Sequence, residues 1–274
     1  MVSAKGTYVY CVIAAARRPR ASRKARGLTG TSAVRLLDVG AGLYAAVADA
    51  PLNRYGEAAI NRGLADLEWV SRAAVAHEAV IESFGGETAV LPMKLFTIFT
   101  SDARAIAHIT AQRTRIATLV KRVANHQEWG IRLVLDRARA ERAAAAGSKG
   151  TRPASTGSSR RPGPSGRGAS PGAAFLTHKK AQRDATVELA SRARETVTGL
   201  FDRLEERSKL AKRRPASELP AQGGPLLLDA AFLVPRARAA SFKALAAREA
   251  RTLSRQGYGM TVSGPWPPYT FVQD

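Results

Sequence analysis

The stretch WGIRLVLD, residues 129–136, shows most clearly how this chain folds. Ile131, Leu133 and Leu135 would lie on one face, and Arg132, Val134 and Asp136 on the other. Alternation of this kind predicts a half-buried β-strand. A strand with one apolar face needs a cover, so we expect a sheet with one layer of helices packed on it.

The chain before this strand has the composition of a second small sheet with its own helices. Its β-branched and aromatic runs predict strands, its Gly40–Gly42 turn predicts a hairpin, and a stripe at spacings of three and four predicts a helix. The stripe consists of Trp69, Ala73, His77, Val80, Ile81 and Phe84. The expected elements are a strand at 7–13, a hairpin at 33–39 and 43–49, a helix at 55–84, an extended segment at 88–100 and a helix from 101 to about 126.

After this strand, the periodic spacing of apolar residues stops and later resumes. Residues 147–172 are rich in Gly, Ser, Pro and Arg, which predicts a disordered basic linker or insertion. A long helix at 174–213, a strand at 226–234, a helix at 236–256 and a strand at 258–263 follow. Because 274 residues exceed the usual size of one core, we predict an α+β protein of two domains, 1–127 and 128–274.

Charge is the most extreme bulk property, at +21 with a pI near 11.1. Eleven of the basic residues lie at 17–26 and 147–172, two loop-like segments without any acid. Binding of nucleic acid or an acidic surface through these arginine-rich loops therefore remains an alternative function. The single Cys11 excludes an internal disulfide and favours a reducing, cytoplasmic location. We expect neither a signal peptide nor a membrane span, since no apolar run is long enough.

No familiar catalytic or ligand-binding pattern emerges. The glycines at 27–30 and 40–42 lack the spacing and the lysine of phosphate loops, and the four histidines stand far apart. We therefore expect no cofactor, no metal and no enzymatic activity. His77 beside Glu78 is the only candidate general base, and its position among the apolar residues of the predicted helix favours a core histidine instead. Cys11 in an apolar strand likewise favours a core residue over a reactive thiol.

Aromatic residues on strands could form a base-stacking surface for RNA. The candidates are Tyr8, Tyr10, Phe96 and Phe99. Neither segment interleaves them with arginines, which favours core packing.

The C-terminal stretch SGPWPPYTFV, residues 263–272, is the most distinctive motif. Three prolines around Trp266 predict an extended, polyproline-like arm at 264–274 that excludes helix and interior strand. Its members Trp266, Pro267, Pro268, Tyr269 and Phe271 are candidate partner-binding residues. The alternative is that the aromatic rings hold the arm against its own domain.

Five segments together resemble the gas vesicle protein F/L family (GvpF/GvpL). They are YVYCVI, VLPMKLFTIFTSD, FLTHKKAQRD, FLVPR and GPWPPYTFV, in family order and spacing over most of the chain outside residues 17–32 and 147–172. The chain departs from the family at 95–97, where LFT stands in place of the usual phenylalanine, glycine and threonine, so we expect a different local turn.

The resemblance implies two α+β domains, the first ferredoxin-like, and a non-enzymatic accessory role in gas vesicle formation. It also implies binding to the small hydrophobic shell protein and to other gas vesicle accessory proteins, with assistance in assembly or nucleation. The expected mechanism uses apolar surface near the long helix and the C-terminal arm to cover the shell subunit, while the net charge keeps the complex dispersed.

Overall fold

The computed structural model describes residues 4–20, 22, 25–136, 138–140, 142, 171–215 and 224–273. It contains two antiparallel sheets, each covered by helices, which confirms the predicted α+β class. The predicted insertion at 147–172 lies outside the described residues, except for the last two, which begin a helix.

The first sheet has the strand order β2-β3-β1-β4, with β5 also paired to β1. Its strands are β1 Lys5–Ala14, β2 Arg35–Gly40, β3 Leu43–Pro51, β4 Ala89–Pro92 and β5 Ile98–Phe99. This order, with every neighbour antiparallel, is that of a ferredoxin-like sandwich. The described part of the basic segment from 15 to 34, which connects β1 to β2, contains no helix, although that fold normally has one there.

The helices of the first half are shorter than the sequence predicts. They are α1 Leu52–Tyr55, α2 Glu57–Gly63, α3 Leu67–Glu82, α4 Asp102–Ala111 and α5 Arg113–Val123. The helix predicted at 55–84 is interrupted before α3, where the Asp66 side chain accepts the backbone N–H groups of Glu68 and Trp69 as an N-cap. Ser101 caps α4 as predicted, but the helix after it breaks at Gln112.

The face of α3 that was predicted to be buried packs on the first sheet, where Ala73, His77, Val80 and Ile81 are buried. Cys11 is also buried, as expected for a core residue. Tyr8 and Tyr10 are fully buried, so the base-stacking sheet considered above is wrong for these two rings.

Phe96 occupies the left-handed region at φ 64°, the conformation for which glycine is best suited. The ring is held in place by stacking on Trp69, with centroids 5.0 Å apart, and its N–H donates to the Tyr8 hydroxyl. The turn at 95–97 therefore has, at Phe96, a backbone conformation that glycine adopts most easily.

The second sheet has the order β7-β8-β6-β9, again antiparallel throughout. Its elements are β6 His126–Leu135, α6 Pro171–Glu205, β7 Leu210–Arg213, β8 Leu226–Pro235, α7 Ala239–Arg255 and β9 Tyr258–Trp266. This succession is a complete β-α-β-β-α-β unit with ferredoxin-like strand order. Its core is centred on Phe232, whose ring lies 5.5 Å from Phe201 and 5.7 Å from Phe242.

The prediction of one helix over 174–213 is wrong at its C-terminal end. The helix α6 ends at Glu205, and the last residues of the predicted range form β7, which pairs with β8. No proline or glycine separates the two elements, so the strand is selected by its pairing partner and not by a local signal.

Polar contacts join the two halves. The Lys209 ammonium donates to the carbonyls of Lys121 and Arg122 at the end of α5, and Arg236 donates to those of Gly86 and Glu87. We propose the domain boundary near residue 127, close to where β6 begins.

Candidate partner-binding surface

The C-terminal segment is an edge strand followed by a helical turn. Strand β9 continues to Trp266, which pairs with Glu128, and α8 comprises Tyr269–Val272. The prediction that the arm contains no helix is therefore wrong at residues 269–272, whereas the edge strand through Trp266 agrees with the predicted extended conformation and with the exclusion of an interior strand. Prolines are tolerated in β9 because it lies at the sheet edge, where one set of backbone N–H groups needs no partner.

The residues after Trp266 form hydrogen bonds with both halves of the chain. Glu128 accepts the Thr270 N–H at 2.7 Å and its hydroxyl at 2.6 Å, and the Tyr269 hydroxyl donates to the Glu78 carboxylate. Phe271 and Val272 are buried in the core of the first sheet. The structure thus places Tyr269 and Phe271, two predicted partner residues, in contacts within the chain.

Burial changes the pKa values of the Glu78 and Glu128 carboxyl groups. It raises the pKa of Glu128, and the hydrogen bonds from Thr270 oppose this shift. Burial also raises the pKa of Glu78, opposed by the hydrogen bond from Tyr269. The pKa of Tyr269 is raised too, first by burial and then by Glu78, so its hydroxyl remains a donor.

Trp266 is the part of the motif that faces solvent, with 40% of its surface exposed. Together with Pro265 and Pro267 it lines a pocket of 210 Å³, to which Glu82 and Arg236 also contribute. Pro268 also lines this pocket and is buried. The five predicted residues therefore divide into an inward set and an outward set led by Trp266.

A second exposed apolar surface, at the start and middle of α3, was not predicted. It consists of Leu64, Leu67 and Val75, which are 56%, 82% and 67% exposed, and is here called the apolar stripe. On α3, Leu67 and Val75 share a face with Glu78 and Glu82, because residues three or four apart lie one above the other. Glu78 contacts Tyr269 and Glu82 lines the Trp266 pocket, so the apolar stripe leads along α3 toward Trp266.

The sequence did contain a signal for the apolar stripe. Leu67 and Val75 lie on α3 outside the buried face that carries His77, which makes the helix apolar on two sides. An ordinary surface helix keeps its solvent face polar, so apolar residues there indicate a contact surface.

His77, the candidate general base considered above, is buried and engaged at both ring nitrogens. His77 is 4% exposed, its Nδ1 accepts from the Tyr8 hydroxyl at 2.7 Å and its Nε2 donates to the Met93 carbonyl at 3.1 Å. Burial also raises the pKa of the Cys11 thiol. Within the described ranges, no group of three or more His, Cys, Asp or Glu side chains could hold a metal ion.

Replacing His77 with glutamine is expected to reduce the loss of stability between pH 6.5 and pH 4. Burial lowers the pKa of His77 from 6.5 to about 4, so in this window the unfolded chain binds a proton that the folded protein does not. The stability is full above pH 6.5 and falls as the pH drops, by on the order of 3 kcal/mol over the window. Urea unfolding of both proteins at pH 7.5 and 4.5 measures the difference. An equal loss in both would contradict this role for His77.

Comparison with known proteins agrees with this architecture. The family model described as gas vesicle synthesis protein GvpL/GvpF matches residues 6–273. The chain belongs to the GvpL/GvpF family. Gas vesicle protein L of Streptomyces sp. (strain CB03234) is 27% identical over 233 residues, covering 84% of this chain and 80% of that protein.

Two crystal structures of GvpF share the fold of this GvpL/GvpF family member. The protein from Anabaena sp. PCC7120 superposes with a TM-score of 0.65 at 16% identity, over 98% of this chain and 97% of that one. The protein from Microcystis aeruginosa gives 0.64 at 18% identity, over 98% and 99%. None of the described helices is long and apolar enough to cross a membrane.

Proposed function

We propose that this GvpL/GvpF family member is a non-enzymatic accessory protein that binds the hydrophobic gas vesicle shell subunit and assists its assembly. The observation that carries this proposal is the apolar stripe, in which Leu67 and Val75 are largely exposed on α3, the helix whose last residue, Glu82, lines the Trp266 pocket. Exposed apolar surface of this kind marks protein contact sites. The family supplies the setting, gas vesicle synthesis.

The apolar stripe suits an apolar partner better than the long helix does. On α6, Phe175 and Val187 are also exposed, at 63% and 62%, but they lie twelve residues apart, about 18 Å along the helix. Lys179 further covers the Phe175 ring, with its ammonium 5.8 Å from the centroid. The proposed contact therefore moves from the long helix to α3, while the C-terminal segment remains part of it through Trp266.

In the proposed mechanism, the shell subunit buries its aggregation-prone face on the apolar stripe and the Trp266 pocket. The +21 net charge keeps the complex soluble until the subunit is transferred. We place this step in the cytoplasm and at the growing vesicle, with other gas vesicle accessory proteins as further partners.

Co-expression followed by capture of the tagged protein tests the proposal. We expect the shell subunit to be retained through a high-salt wash and nuclease treatment, because apolar burial is not weakened by salt whereas phosphate contacts are. Loss of the subunit under either treatment would instead support binding through the arginine-rich loops. A shell subunit that stays equally soluble without this protein would contradict the holding function.

A further inference from the structure

One edge of strand β9 is not paired with any described strand. Strand β9 is the last strand of the second sheet, and among the described residues only β6 pairs with it. The Asp136 N–H donates to the Gly257 carbonyl at 3.0 Å, so Asp136 and Gly257 form a hydrogen-bonded pair of the antiparallel ladder. Because bonded and non-bonded pairs alternate, Tyr258, Met260 and Val262 point their N–H and C=O groups away from β6. The edge thus offers a regular row of donors and acceptors.

Arginines line the surface along this edge. Arg251 and Arg255 come from the end of α7, and Arg139 follows β6. With Val134 and Met260 they border an open depression of 760 Å³. The described part of the chain gives none of these three arginines an ion pair, and the only acid in the lining is Asp136, which accepts the Arg139 N–H at 3.0 Å.

We propose that the β9 edge binds an acidic, extended segment of a partner protein as an added fifth strand. Backbone hydrogen bonds to Tyr258, Met260 and Val262 would align the segment. Carboxylates on it would meet Arg139, Arg251 and Arg255, since charge-assisted bonds to guanidinium groups are strong. Pro265, which lacks an N–H, marks the end of the usable edge.

The edge favours a peptide over nucleic acid. Its outward carbonyls need donors, and a peptide backbone supplies N–H groups at the strand spacing, whereas phosphates supply only acceptors. A second copy of this chain is also disfavoured, because pairing two β9 edges would bring the same arginines together.

This site goes beyond the proposed binding of the shell subunit. It uses residues 258–262 of β9, whereas the apolar stripe lies on α3 and Trp266 is the last residue of β9. The two binding proposals can therefore be tested, and refuted, independently of each other.

The test uses a fluorescent peptide of about eight residues that alternates glutamate and threonine, a usual strand length. A second peptide has the same sequence with alternate backbone amides N-methylated, and a third has lysine in place of glutamate. Fluorescence anisotropy measures binding to the full chain, to R251E/R255E and to R62E/R104E. The last pair makes the same charge change on exposed arginines of the first half.

We expect the acidic peptide to bind about ten-fold or more weakly to R251E/R255E and unchanged to R62E/R104E. The N-methylated and lysine peptides should both bind at least about ten-fold more weakly to the unaltered protein. Equal binding of the N-methylated peptide, or equal losses in both variants, would overturn strand addition. So would tighter binding of a single-stranded oligonucleotide with the same arginine dependence, or a doubled mass in light scattering that R251E/R255E abolishes.

Discussion

Replacing Phe271 with alanine is expected to lower the free energy of unfolding by about 3–5 kcal/mol. The ring is 5% exposed and lies in the core of the first sheet, although it belongs to the last element of the chain. Its truncation removes apolar contacts and leaves a cavity that the neighbouring strands cannot close. Urea unfolding at neutral pH measures the change, with circular dichroism to confirm that the variant folds.

Trp266→Ala is the matched control, because it removes a larger ring from the same motif. Trp266 is 40% exposed and lines an open pocket, so the expected loss is only about 1 kcal/mol. Equal destabilisation by both changes would contradict the division of the motif into inward and outward residues.

The elements predicted correctly are those with strong local signals. The hairpin of β2 and β3 is marked by glycines that take positive φ values at Gly40 and Gly42. Strand β6 is marked by its alternation, and its Ile131, Leu133 and Leu135 are buried as predicted. These patterns report local geometry and one-sided burial, which do not depend on distant residues.

The errors arose where distant partners decide the structure. Strand β7 follows α6 without a breaking residue and exists because β8 offers it an edge. The turn α8 forms after Pro268 because Glu128, far away in sequence, accepts the Thr270 N–H. A single sequence does not reveal either partner. Local propensity therefore predicted that the long helix continues to residue 213 and that the C-terminal arm is extended throughout.

The candidate surface was predicted in part for the same reason. The aromatic residues of the C-terminal motif were recognised, but composition does not distinguish Phe271, which faces the core, from Trp266, which faces solvent. The apolar stripe was not predicted because the period of a helix in the sequence indicates the residues that become buried. Leu67 and Val75 indicate a contact surface because the structure leaves both exposed on the solvent face of α3.

The double change L67E/V75E is expected to weaken binding of the shell subunit by about 100-fold or more. Both side chains are more exposed than Trp266. Each substitution would place a carboxylate where contact with an apolar partner removes it from water, which is costly. The fold should not suffer, since Leu67 is the first residue of α3, where a negative charge is favourable, and glutamate suits a helix better than valine. Quantitative capture of the shell subunit, with melting temperature as a check on folding, measures the effect.

F175E/V187E provides the control, since it changes two equally exposed apolar residues on α6 by the same charge. Retained binding in this variant and loss in L67E/V75E would locate the contact on α3. The reverse result would return the contact to the long helix and refute the role of the apolar stripe. Equal losses would mean that added negative charge alone disturbs the complex, because both variants add two carboxylates.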